Sequence, residues 1–134
     1  MAQMPSIDEW LREAKADPVF ARCGMYLVHN GTVRETPKAE VRGVSTDGVQ
    51  PGGKVAGMVF SYNESKVAAA VEEARALPGI EYVRVWLNSG ELEVGDDIML
   101  VLIGGDIRPR VIDALQQLVS TIKNTCVVEQ EIGA

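Results

Sequence analysis

Histidine and cysteine are scarce: the 134-residue chain has one histidine, His29, and two cysteines, Cys23 and Cys126, neither in a CxxC pair. A zinc centre built on Cys and His would be starved of ligands, so no metal site is expected. Positive charge is also short, with 13 Lys and Arg against 19 Asp and Glu, a net charge of −6. Phosphate neutralisation along nucleic acid needs clustered Lys and Arg, so no nucleic-acid surface is expected, although a few local arginines can still bind a small anion. No apolar run approaches the ~18 residues that span a bilayer, so no membrane partner is expected. The start, MAQMPSIDEW, lacks the basic and apolar regions of a signal peptide, which predicts a cytoplasmic protein with both thiols reduced in the core.

What is present is a globular composition, 46% hydrophobic and 24% charged, which at this length predicts one domain over residues 1–134. Ser6 and Glu9 have capping-box spacing before Trp10, Leu11 and Ala14, so residues 1–19 read as an N-terminal helical extension that ends at DPVF. Residues 23–28 alternate weakly as a strand. Residues 35–54 are rich in Gly, Pro, Thr and charge without periodicity, and read as a long loop of functional or mobile type. Its GVQPGGK segment lacks the spacing and the Lys-Ser/Thr pair of a phosphate loop.

From Val55 onward apolar periodicity predicts β-α-β-β-α-β. Strands are expected over 55–61, 80–87, 97–103 and 125–131, with turn chemistry on either side of Leu92. Val67, Ala70, Val71 and Ala74 form one face of a first helix. Val111, Ile112, Leu115, Leu118, Val119 and Ile122 form one face of a second, with Pro109 in its first turn. Two one-sided helices on a mainly antiparallel sheet make a two-layer α+β domain.

Three cations lie beside irregular backbone: Arg34 at the lip of the loop, Arg108 at the start of the second helix, and Lys123 at its end. A helix N-terminus and a guanidinium both favour an anion, which gives Arg108 a binding reading; pairing with Asp106 or Asp113 is the plain one. Lys123 reads either as a catalytic cation or as a charge complementing the helix dipole. Glu129 and Glu131 alternate on the last strand and read as solvated.

Taken in order, these segments resemble one family. GMYLVHNGTVRE resembles the Gly-x-Val-Arg strand and loop of the large, catalytic subunits of molybdopterin synthase. AAAVEEARAL resembles their first long helix, and VRVWLNSGELEVGDDIMLVLIGG their Val-x-His-Arg-x-Gly-x-Leu-x-x-Gly-Asp segment. IRPRVIDALQQLVSTIKNTCVVEQE resembles the helix that leads to a catalytic lysine and on to a Trp-Lys-x-Glu strand. The likeness spans roughly residues 20–131.

The resemblance implies an α/β-hammerhead domain that forms a homodimer and carries a small ubiquitin-like sulfur-carrier subunit. That subunit's C-terminal Gly-Gly, as a thiocarboxylate, would enter a pocket and pass sulfur to cyclic pyranopterin monophosphate, a pterin phosphate, without a metal or cofactor in the synthase itself. By position it implies that Arg34 and Arg108 bind the substrate phosphate and that Lys123 is the catalytic amine. Other positions depart from the family pattern: Glu129 stands where a second lysine belongs, Ile107 replaces a histidine, and Leu87 and Asn88 replace a His-Arg pair. Two functions therefore stay open. One is molybdenum cofactor biosynthesis by sulfur transfer, with Lys54, Lys66 or Arg110 as the replacement cation. The other is a non-catalytic paralogue that keeps the scaffold and binds a ubiquitin-like partner or another anion.

Overall fold

In the computed structural model the described residues are 2–42 and 48–134. The elements run α1 (Ile7–Ala16), a 3-10 turn (Pro18–Arg22), β1 (Met25–Thr32), α2 (Lys38–Arg42), β2 (Val55–Tyr62), α3 (Glu64–Arg75), β3 (Ile80–Leu87), β4 (Gly90–Glu93), β5 (Asp97–Gly105), α4 (Arg108–Thr121), a π-helical turn (Ile122–Cys126) and β6 (Val127–Gly133). The strands form two antiparallel three-stranded sheets, ordered β1-β5-β3 and β4-β2-β6. The α+β class and the two amphipathic helices are as the periodicity predicts, while the sheet is divided in two. The short stretch around Leu92, bracketed by turn chemistry and not assigned as a strand, pairs with β2 and supplies the edge of the second sheet.

Burial explains why β5 is the most apolar run. Met99, Val101 and Ile103 join the main core, which β2 and β4 enter through Met58, Phe60 and Leu92 and the helices through Ala70, Ala74, Val111, Ala114 and Leu118. Leu100 and Leu102, of opposite pleat, meet Trp10 and Ala14 of α1. The N-terminal helix therefore adds a cover to the second face of β5, and each fully buried side chain there contributes roughly 1.5–3 kcal/mol.

Three boundaries differ from expectation for local reasons. β1 continues through the HNGT stretch because the long β5 offers a ladder out to the Thr32–Asp97 pairing. The start of the last strand moves to Val127 because the chain leaving α4 widens into the π-helical turn, where Thr125 Oγ1 donates to the Thr121 carbonyl at 2.7 Å. The 35–54 loop contains α2 and Gly48–Lys54, and its residues 43–47 lie outside the described residues. Among the described residues, no helix is long and apolar enough to cross a membrane.

Candidate active site

The β2–β6 ladder sets Glu129 opposite Phe60 and Glu131 opposite Met58. Both glutamates share the inward phase of β6, while Val128 is 67% exposed on the other face. This reverses the solvated reading of these residues: the Glu129 side chain is only 6% exposed. The reversal is tolerated because cations meet it. A buried carboxylate without partners would instead protonate.

Lys38, at the start of α2, places Nζ 2.7 Å from Glu129 Oε2. Lys123, in the π-helical turn, places Nζ 3.5 Å from Glu129 Oε1, longer than a charge-assisted hydrogen bond. Burial pushes the Glu129 carboxyl up, but the Lys38 hydrogen bond and the charges of Lys123 and Lys38 outweigh it, and it lies below the usual carboxylate range. Glu131 holds the backbone of the loop: Oε2 accepts the Lys38 N–H at 2.8 Å and Oε1 the Val49 N–H at 3.1 Å. Gly48 has φ +79°, and a Cβ there would lie 2.5 Å from Glu131 Oε1, so this approach requires glycine.

Around this cluster lies a recess of about 30 Å³ lined by Thr32, Arg34, Met58, Ile98, Lys38, Lys123, Glu129 and Glu131. Arg34 lies at its exposed rim, where Nε donates to the Thr36 carbonyl at 3.1 Å. His29, half-buried on β1, is pushed below the ordinary histidine value by burial and by the charge of Lys123. The recess thus brings together a rim guanidinium, two ammonium groups and two carboxylates.

Arg34, Lys123 and Glu129 therefore meet in one place. Arg108 does not join them: α4 has 14 residues, which puts Arg108 and Lys123 about 20 Å apart along its axis. Asp106 pairs with Arg110 at 2.8 Å rather than with Arg108. Ile107 is exposed at the start of α4. Leu87 is core, and buried Asn88 is a strut whose Nδ2 donates to the Asp97 carbonyl at 2.8 Å while Oδ1 accepts the Ala2 N–H at 2.9 Å. Of the replacement cations weighed from sequence, Lys54 pairs with Glu35 at 3.7 Å on the surface, Lys66 is exposed on α3, and Arg110 is held by Asp106. Lys38 is the cation the sequence reading missed. Its signal was indirect: two glutamates at i and i+2 on one strand face need counterions somewhere.

The family model for MoaE protein matches residues 3–125. The chain belongs to the MoaE family. Its fold is shared with molybdopterin synthase from Staphylococcus aureus, at TM-score 0.72 and 21% identity over 99% of this chain and 89% of that one. The MoaE protein of Burkholderia ambifaria MC40-6 aligns at TM-score 0.70 and 18% identity, over 100% and 86% of the two chains. A complex of subunits 1 and 2 of molybdopterin-converting factor from Helicobacter pylori 26695 aligns at TM-score 0.60 and 15% identity, over 96% and 80%. Comparison of the sequence with curated proteins gives no match. Within the MoaE fold, the Lys38–Glu129–Lys123 cluster sits where β6 passes the end of α4.

Proposed function

We propose that this MoaE-family chain acts in molybdenum cofactor biosynthesis as the large subunit of a molybdopterin synthase. It would take sulfur from the C-terminal thiocarboxylate of a small ubiquitin-like subunit and deliver it to cyclic pyranopterin monophosphate, in the cytoplasm. One observation carries this reading: Arg34, Lys38 and Lys123 converge on a single recess with an apolar floor of Met58 and Ile98. In that role Lys123 polarises the thiocarboxylate carbonyl and stabilises the negative charge that develops on its oxygen. Arg34 at the rim offers a two-pronged contact to the substrate phosphate.

Arg108 reaches the same phosphate only from a second copy of the chain, given the length of α4. The proposal therefore includes a homodimer in which the start of one α4 faces the other protomer's recess. A pure monomer at micromolar concentration in light scattering would remove Arg108 from the site.

The position of Glu129 between two lysines favours a second reading, a scaffold that binds a ubiquitin-like partner without turnover. Reconstitution separates the two. The chain is mixed with a thiocarboxylated small subunit and cyclic pyranopterin monophosphate. Complex formation with molybdopterin as product supports the synthase; complex formation with no product, while an established synthase is active in parallel, supports the scaffold.

A further inference from the structure

We infer that Lys38 is an anion-holding residue of this recess, and that Glu129 is the counterion it exchanges for the terminal carboxylate or thiocarboxylate of a partner chain. The inference rests on the reading of the recess as a tail-binding site, and adds to it a residue and a charge-exchange step.

Charge is the first support. Among the described residues the recess is lined by three cations, Arg34, Lys38 and Lys123, against two carboxylates, Glu129 and Glu131. The balance is one positive charge, and Lys38 supplies it. Without Lys38 the charges of these described lining residues sum to zero. A balance of one also suits a monoanion such as a chain-terminal carboxylate better than a phosphate dianion.

Placement is the second. Glu131 fixes the Lys38 and Val49 backbone N–H groups against β6, so Lys38 is delivered to the recess by the fold and not by chance of rotamer. The side chains then differ in reach. Lys38 is 33% exposed and Lys123 26%, while Glu129 is 6% exposed. An arriving anion meets the two ammonium groups first and the carboxylate only behind them. The recess, about 30 Å³, has room for only a water or two. A tail must therefore take its space from a movable side chain. Lys38, on a flexible stem with part of its surface in solvent, is that side chain.

The exchange costs Glu129 its closest donor but keeps it beside Lys123. It also sets opposite expectations for two neighbouring substitutions, which a purely structural ion pair would not. The probe is a short synthetic peptide ending in Gly-Gly, as free acid and as amide, with inorganic phosphate as a separate arm. Binding is read by calorimetry and by the NMR signal of His29, the single histidine in the chain, in variants whose melting shows that they are folded.

The wild type is expected to bind the acid and not the amide. Lys38→Met should weaken acid binding about tenfold, the effect of one partly screened charge at contact distance. Lys38→Arg should bind like the wild type, and Glu129→Gln should bind more tightly. The double variant Lys38→Met/Glu129→Gln should return close to the wild type, since both hold one net positive charge. Five outcomes overturn the inference: no binding by the wild type, equal binding of acid and amide, preference for phosphate, unchanged binding by Lys38→Met, or Lys38→Met and Glu129→Gln moving in the same direction. The readout involves no turnover, so a chain with this binding pattern and no sulfur transfer would refute the proposed reaction but not the role of Lys38. Unchanged peptide binding by Lys38→Met in an active synthase would do the reverse.

Discussion

The Lys38 ammonium meets the Glu129 carboxylate at 2.7 Å across 91 residues of sequence. This contact ties the loop after β1 to the last strand and converts a carboxylate on the inner face of β6 into part of a cationic recess. Removing the lysine leaves a carboxylate that is 6% exposed with, among the described residues, the more distant Lys123 as its remaining ion pair. Lys38→Met should therefore destabilise the fold by about 1–3 kcal/mol, the usual cost of removing a charged partner from a buried group. Lys54→Met, whose pair with Glu35 is 71% and 61% exposed, should stay within about 0.5 kcal/mol. Urea unfolding of the two variants checks the contrast.

Stability should also depend on acid through Glu129. Its folded value lies below that of an unfolded glutamate, because the lysines outweigh the burial that would raise it. The unfolded chain then binds the proton more readily. The contribution is fully present above the ordinary carboxylate value of about 4.3 and is lost as pH falls through the depressed folded value. Melting temperatures between pH 7 and pH 3 should fall more steeply for the wild type than for Glu129→Gln. Parallel curves would show that Glu129 is not held as a carboxylate.

His29 reports on Lys123. Its value is lowered by burial first and by Lys123 second, so Lys123→Met should move it upward but leave it below the ordinary value of about 6.5. The depressed value also means that His29 favours the fold above the ordinary histidine value and ceases to do so as pH drops through its own. An NMR titration of the single imidazole measures the shift, and no movement in the variant would separate the two residues electrostatically.

The N-terminal helix is part of the fold. Trp10 is 5% exposed against Leu100 and Leu102, both at 0%, and Arg84 stacks 4.4 Å from its ring centroid. Trp10→Ala should cost about 3–5 kcal/mol, as large aromatic truncations in cores do. A melting curve like the wild type's would show that α1 is only appended.

Much of this architecture is legible in the sequence, because local patterns fix it. Ser6 does cap α1, with its Oγ accepting the Glu9 N–H, and Pro109 does sit in the first turn of α4. The one-sided stripes of α3 and α4 point to the core as their spacing says, except that Ile112 is 39% exposed and Ala114 is buried instead. The division into two sheets is not legible, since pairing between distant strands leaves no trace in either one alone. The site divides in the same way. Arg34 and Lys123 could be placed by resemblance, and the structure brings them to one recess. Lys38 could not, because it lies in an aperiodic loop and is tied to β6 by contacts over 90 residues long. The inward phase of Glu129 comes from the β2–β6 register and is compensated by that same lysine, neither of which shows in β6 alone.

The most direct test of the account is a single-turnover reaction with the wild type and Lys123→Ala, both shown to be folded. Each is mixed with thiocarboxylated small subunit and cyclic pyranopterin monophosphate, and molybdopterin is followed over time. Product is expected from the wild type, with a rate roughly a hundredfold or more lower in the variant, the scale of losing one preorganised group at a developing oxyanion. Product at the same rate from both would contradict it, as would none from the wild type while an established synthase turns over beside it.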